Sequence, residues 1–151
     1  MIIQKNRRRA RVIETDNRFR DVHFYLQEHA DEHSGRELIL DVLNSEFQFL
    51  SLEDVKTGQF VAVNKQRIVR VEPEGRDLLE GSVFTREISV QVEMRDGRIL
   101  QGIFPVESPP ERSRLSDHLN LTPPFLYLMG QEKDFIVNKF HILSVLERPD
   151  R

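Results

Sequence analysis

Residues 41–52 and 117–128 align without a gap and agree at six of twelve positions, Asp, Leu, Asn, Phe, Leu and Leu. After a two-residue difference in spacing, Val63-Asn-Lys-Gln-Arg-Ile68 lies on Val137-Asn-Lys-Phe-His-Ile142. Upstream, Asp16-Asn-Arg18 matches Asp96-Gly-Arg98, with four extra residues in the first copy. Anchors in one order at nearly one spacing mark a duplication, and a period of this size dictates the architecture before any local propensity is weighed. The chain is therefore read as two copies, residues 10–72 and 87–147. A linker at 73–86 joins them and carries Pro73, Gly75 and Gly81. The 151 residues are then one sixty-residue unit used twice, and units of that size gain stability by packing together.

Within a copy the apolar period is two. Ile88, Val90, Val92 and Met94 alternate with Ser89, Gln91, Glu93 and Arg95, which predicts a half-buried strand. Asp96-Gly97, and Asp16-Asn17 in the first copy, supply residues that tolerate positive φ and predict tight hairpins. Return strands follow at 98–106 and 18–27, where Val22, Phe24 and Leu26 alternate with His23 and Tyr25. Ser34-Gly-Arg-Glu37 and Ser108-Pro-Pro-Glu111 read as helix starts, before Leu38, Ile39, Val42 and Leu43 and before Leu115 and Leu119. Third strands at 47–52 and 125–128 have consecutive apolar residues, which predicts burial on both faces, the second covered by the sister copy or another subunit. The last two strands meet at Asn64-Lys65 and Asn138-Lys139. The expected fold is mostly β: two tandem small SH3/Sm-like barrels, each with four to five short strands and one short helical turn, packed with pseudo-two-fold symmetry.

The succession of Asp96-Gly-Arg98, Gly102 within a strand, Asn120 before an apolar strand, and Val137-Asn-Lys-Phe-His-Ile142 resembles the Sm-like small barrel. The string that includes Arg114-Leu-Ser-Asp-His-Leu-Asn120 is also similar to an uncharacterised bacterial family of short domains. Val22 stands in the first copy where the second has Gly102, and the helical turn follows the second strand rather than opening the unit. The Sm-like resemblance implies nucleotide binding by the Asn-bearing loop and the last turn, which nominates Asn44, Asn64, Lys65, Asn120, Asn138 and Lys139. Side-chain amides can read base edges, and a lysine can neutralise phosphate.

Charge is unevenly spread. The first twenty residues hold seven basic and two acidic side chains, a local +5, so the remaining 131 carry −8 of the total of −3. Arg7, Arg8, Arg9 and Arg11 therefore form a basic arm suited to a polyanion. Arg7-Arg-Arg-Ala-Arg11 also resembles the arginine stretch of PilZ domains, without the Asp/Asn-x-Ser-x-x-Gly that follows it there. His29-Ala-Asp-Glu-His33 fits H-x-x-E-H, which on a helix would turn His29 and His33 to one zinc ion with Glu32 as base. Zero cysteines exclude disulfides, thiolate metal sites and cysteine nucleophiles. No apolar run reaches the length of a membrane span, and no secretory h-region opens the chain, so a cytoplasmic location is expected.

No acid/base or nucleophile set recurs in both copies. The expected role is accordingly a non-catalytic interaction or assembly module without a cofactor, with a protein partner or self-association. RNA or other nucleic-acid binding through the Asn-Lys turns and the basic arm is the alternative.

Overall fold

Alternating segments become strands, and the turn residues between them set their pairing. The computed structural model describes residues 5–31 and 33–149. In chain order the elements are β1 (Lys5–Glu14), β2 (Phe19–Gln27), α1 (Ile39–Leu43), β3 (Phe49–Asp54), β4 (Phe60–Asn64), β5 (Ile68–Pro73), β6 (Arg86–Met94), β7 (Ile99–Val106), α2 (Leu115–Asn120), β8 (Phe125–Leu128), β9 (Phe135–Asn138) and β10 (Ile142–Glu147). Strand accounts for 47% of the described residues and helix for 16%, so the fold is mostly β. The strands form two antiparallel sheets, and neither closes into a barrel. A seven-stranded sheet runs β4-β3-β2-β1-β5-β9-β8, and a three-stranded one runs β10-β6-β7. Among the described residues no helix is long and apolar enough to cross a membrane.

Turn chemistry sets the hairpins. Asp16 and Asn17 both take positive φ, 66° and 58°, while in the second hairpin only Gly97 does, at 88°. Asp96 there accepts from the Arg98 N–H at 3.0 Å instead. Gly102 has a separate role. A Cβ at this position would sit 2.4 Å from the Met129 carbonyl, where β7 and the end of β8 exchange two backbone bonds at Ile103 and Met129 of 2.8 and 2.9 Å. Glycine lets the two backbones touch.

The helix starts differ from expectation. Asp41 accepts from the Leu38 N–H at 2.7 Å and Asp117 from the Arg114 N–H at 3.2 Å, so the cap is a carboxylate reaching back from inside each helix. Glu37 instead accepts from the Gln27 N–H at 3.1 Å, tying the loop to β2. Helix α1 gains a second anchor from Asp77, which accepts from the Ile39 N–H at 2.7 Å and is only 1% exposed. Segment 73–86 thus carries a buried structural residue as well as its glycines.

Two cores share one wall. Ile68 and Val71 of β5, Ile136 of β9, and Phe125 and Tyr127 of β8 point into the first core. Val69, Val137, Leu126 and Leu128, alternating with them along the same three strands, point into the second. All four residues of β8 are buried, as consecutive apolar residues on a two-faced strand require. Strand β3 does not share that fate. Leu50 and Leu52 are buried, but Phe49 is 55% exposed and Phe47 just before the strand 65%. The reason is position: β3 lies next to the sheet end, with a core behind one face and water on the other.

The junction itself corrects the expected symmetry. A two-fold arrangement makes each unlike contact twice, whereas here β5 of the first half pairs with β9 of the second, Arg70 opposite Val137 and Val71 opposite Ile136, and β10 does not pair with β4 in return. The halves are joined head to tail.

Candidate functional site

The two Asn-Lys turns are built alike. Asn64 Oδ1 accepts from the Gln66 N–H and Asn138 Oδ1 from the Phe140 N–H, both at 3.1 Å, so each asparagine shapes a single 3₁₀ turn. The lysines then reach toward the ends of the helices. Lys65 Nζ donates to the Ser45 carbonyl just past α1. Lys139 Nζ donates to the Leu119 and Thr122 carbonyls, both at 2.8 Å, at the end of α2. Each ammonium binds carbonyls in the last turn or just past the helix, near the negative end of the helix dipole. Burial pushes both amines below the usual lysine range. Their charges are engaged with the fold rather than presented to a phosphate.

The asparagines at the ends of the two helices make different contacts. Asn44 holds β8 by two points: its Nδ2 donates to the Phe125 carbonyl at 3.0 Å, and its Oδ1 accepts from the Phe125 N–H at 2.9 Å. Asn120 is exposed, and its Nδ2 donates to the Ser116 carbonyl of its own helix at 2.8 Å. Asn138 makes a further bond across the junction, Nδ2 to the Ile68 carbonyl at 2.9 Å. Of the six nominated residues, Asn44, Lys65 and Asn138 meet around one cleft of about 490 Å³, whose lining includes Phe47 and Phe140. Asn64, Asn120 and Lys139 are not part of that lining.

Arg7, Arg8, Arg9 and Arg11 are strand residues rather than a free arm. β1 pairs with β2 along nearly its whole length and with β5 from Ala10 onward. Arg7, Arg9 and Arg11 point to the outer face, while Ala10 and Val12 are buried. Arg11 binds Asp21 through Nε at 2.9 Å and lies 4.3 Å over the Phe19 ring. That hydrogen bond holds the Asp21 carboxyl below its usual range. Arg9 lies 3.8 Å from Glu74. Acids therefore interrupt the basic stripe.

The helical reading of His29 and His33 is corrected. Described residues 28–36 contain no helix, because Gly35 takes φ 94° and the chain bends repeatedly there. His29 is exposed. His33 contacts the Ser34 carbonyl through Nδ1 at 2.8 Å and Asp41 through Nε2 at 2.6 Å, and these contacts raise its pKa. Glu32 lies outside the described residues. Among the described residues, no group of three or more His, Asp or Glu side chains is placed to hold a metal ion.

Family models, curated proteins and solved structures give no significant match to this chain.

Two features lie outside the motifs. The first is a buried polar chain. The Tyr127 hydroxyl donates to Asp134 at 2.6 Å and accepts from the Asp77 N–H at 2.9 Å, while Arg76 grips Asp134 at 2.9 and 3.1 Å and Arg36 binds Asp77 at 2.7 Å. Hydrogen bonds from Arg76 and Tyr127 hold Asp134 below its usual range against the opposing effect of burial. The second feature is a pair of sheet edges that are open among the described residues. β4 ends the seven-stranded sheet and β10 ends the three-stranded one. Around them Phe49 and Phe60 are 55% and 59% exposed, and Leu143 and Leu146 are 60% and 61% exposed. An open strand with apolar side chains is a template for pairing. The signal for it in the sequence is the Phe-Leu-x-Leu pattern of 49–52, whose outward phenylalanine is left more than half exposed.

Proposed function

We propose that this chain is a non-catalytic interaction and assembly module, a duplicated small β unit that engages protein through its two open strand edges. The observation that carries the reading is the pair of edges β4 and β10, each bordered by large apolar side chains left in water. The duplication is supported by the succession strand, strand, helix, strand, strand, strand, which occurs twice in the same order. Neighbour order supports it too. The first half pairs as β4-β3-β2-β1-β5. The second pairs as β9-β8 and β7-β6-β10, with β7 and β8 bridged at Ile103 and Met129. That order is what a small SH3/Sm-like barrel would have.

The competing reading, nucleic-acid binding, has in its favour the aromatic pair Phe47 and Phe140 beside the Asn44 cleft. Against it stand the lysine amines held by backbone carbonyls and the acids among the β1 arginines.

A photoreactive phenylalanine analogue placed at Phe60 and at Leu143, with Val83 as an exposed control away from both edges, separates the two in the cells that make the protein. Protein adducts at positions 60 and 143 but not at 83 are the expected result. Adducts to nucleic acid, or equal labelling at all three positions, would overturn the module reading.

A further inference from the structure

We infer that the partner at these edges is a second copy of the same chain, docked so that β10 of one copy pairs with β4 of the next in the way β5 pairs with β9 inside the chain. This rests on the module reading above and goes further by naming the partner and the register.

The internal junction shows what such a contact needs, and each need has a counterpart left open on the surface. β5 carries a bulge at Val69, between Ile68 opposite Glu14 and Arg70 opposite Ile13. β10 carries the same bulge at Leu143, between Ile142 opposite Met94 and Ser144 opposite Glu93. Inside the chain the bulged Val69 turns into the second core and is 4% exposed. Leu143, at the matching position, is 60% exposed because, among the described residues, no strand lies beyond β10. The strand that covers β5 is β9, and the strand matching β9 is β4, which is the other open edge.

Side chains repeat the correspondence. Asn138 Nδ2 reaches across the junction to the Ile68 carbonyl. Its match, Asn64, uses Oδ1 for the same turn, and its Nδ2 has no hydrogen-bond partner among the described residues. Docking brings that amide to the matching Ile142 carbonyl. Asn44 clamps the Phe125 backbone by two bonds. Its match, Asn120, lies exposed on α2, and the match of Phe125 is the exposed Phe49 beside β4. A rotamer change frees Asn120 to clamp Phe49 of the next copy. The register that follows sets Ser144 against Val63 and Val145 against Ala62, as Arg70 faces Val137 and Val71 faces Ile136. Because the edges used are unlike, the contact is heterologous and repeats from copy to copy.

Light scattering of the full chain tests this, with two blocking variants. Leu143→Glu disables β10 and Ala62→Glu disables β4. Both positions are exposed, and an unfolding midpoint equal to that of the parent diluted until it dissociates confirms that each variant folds. The parent is expected at a multiple of 17.8 kDa. Each variant alone, having only one kind of working edge, is expected as a monomer. The mixture is expected to stop at two chains, joined through β4 of the first variant and β10 of the second. Asn120→Ala is expected to weaken the parent assembly by about tenfold or more, the effect of losing two backbone hydrogen bonds, with no change in the midpoint of the dissociated chain. A parent monomeric at every concentration, or single variants that still pair, would overturn the inference. If the parent is monomeric while positions 60 and 143 cross-link to a different protein, copy-to-copy docking fails and the module reading stands. If no protein adduct forms at either edge, both fall.

Discussion

His118 offers a quantitative handle on the second core. Its ring packs on Phe104 with centroids 5.0 Å apart, the residue is 7% exposed, and neither ring nitrogen has a hydrogen-bond partner among the described residues. Burial, with a smaller contribution from the Lys139 charge, pushes its pKa down to about 4. An unfolded histidine titrates near 6.5. Protons therefore bind the unfolded chain first, and the stability that rests on a neutral His118 is complete above about pH 6.5 and is lost as pH falls toward 4. At 1.36 kcal/mol per pKa unit the whole effect is about 3 kcal/mol, of which about 2 kcal/mol is gone by pH 5. His33 titrates with the opposite sign, since its raised pKa adds stability as it gains a proton, so the parent alone is an ambiguous probe. The comparison is with His118→Leu, followed by urea unfolding in small pH steps. At pH 7.5 the variant is expected to match or exceed the parent, because two unpartnered polar atoms leave the core. Between pH 7.5 and 5 the variant's advantage is expected to widen by about 2 kcal/mol. Parallel pH curves, or a His118 ring resonance that titrates near 6.5 in the folded protein, would refute the reasoning.

Three further substitutions probe the junction and its supports. Asn44→Ala strips both bonds from the Phe125 backbone inside the chain and is expected to cost about 2–3 kcal/mol in urea unfolding, the penalty for buried groups left unpaired. Gly102→Ala drives a methyl into the Met129 carbonyl and is expected to lower stability by about 1–3 kcal/mol. Amide exchange at Ile103 and Met129 should rise with it as the β7–β8 bridge loosens. Tyr127→Phe removes the hydroxyl between the Asp77 N–H and Asp134 and is expected to cost about 1–3 kcal/mol. Amides 77–82 and 130–134 should exchange faster in this variant than amides of β6.

How much of this was legible in the sequence depends on the range of the interaction that decides each feature. The strands were legible because period-two alternation is a local rule. Ile88, Val90, Val92 and Met94 declare their buried face without reference to any partner. The positive φ of Asp16, Asn17 and Gly97 was legible for the same reason. The helix caps were misplaced because Ser34 and Glu37 match a short pattern that Asp41 satisfies with better geometry, and only the fold shows Glu37 spent on β2. The Asn-Lys turns were located correctly in the chain, but the destination of the lysine amines depends on where α1 and α2 end in space. Nothing local marks Asp77 as buried. Its partners, Arg36, Ile39 and Tyr127, lie as far as 50 residues away in sequence.

If the chain is the duplicated unit proposed above, the asparagines at 44 and 120 show why a repeat pattern is legible while its use is not. The pattern records what each unit needs for itself: an asparagine after a short helix, a strand beginning with phenylalanine, a turn closed by asparagine and lysine. It does not record which unit lies next to which. Asn44 meets Phe125 because β8 stands beside it, whereas among the described residues the Asn120 amide donates to Ser116 of its own helix. The same holds for Val69 and Leu143, one bulge with two burials. A residue kept in chemical kind at both positions but used at only one fits a unit whose second contact is made outside the chain. An asparagine with no task beyond helix α2 would be under no such constraint at 120, and serine or lysine would serve there as well. The assembly experiment therefore tests more than an oligomeric state. It decides whether Asn120 and Leu143 are unused copies of working residues or working residues that act between chains.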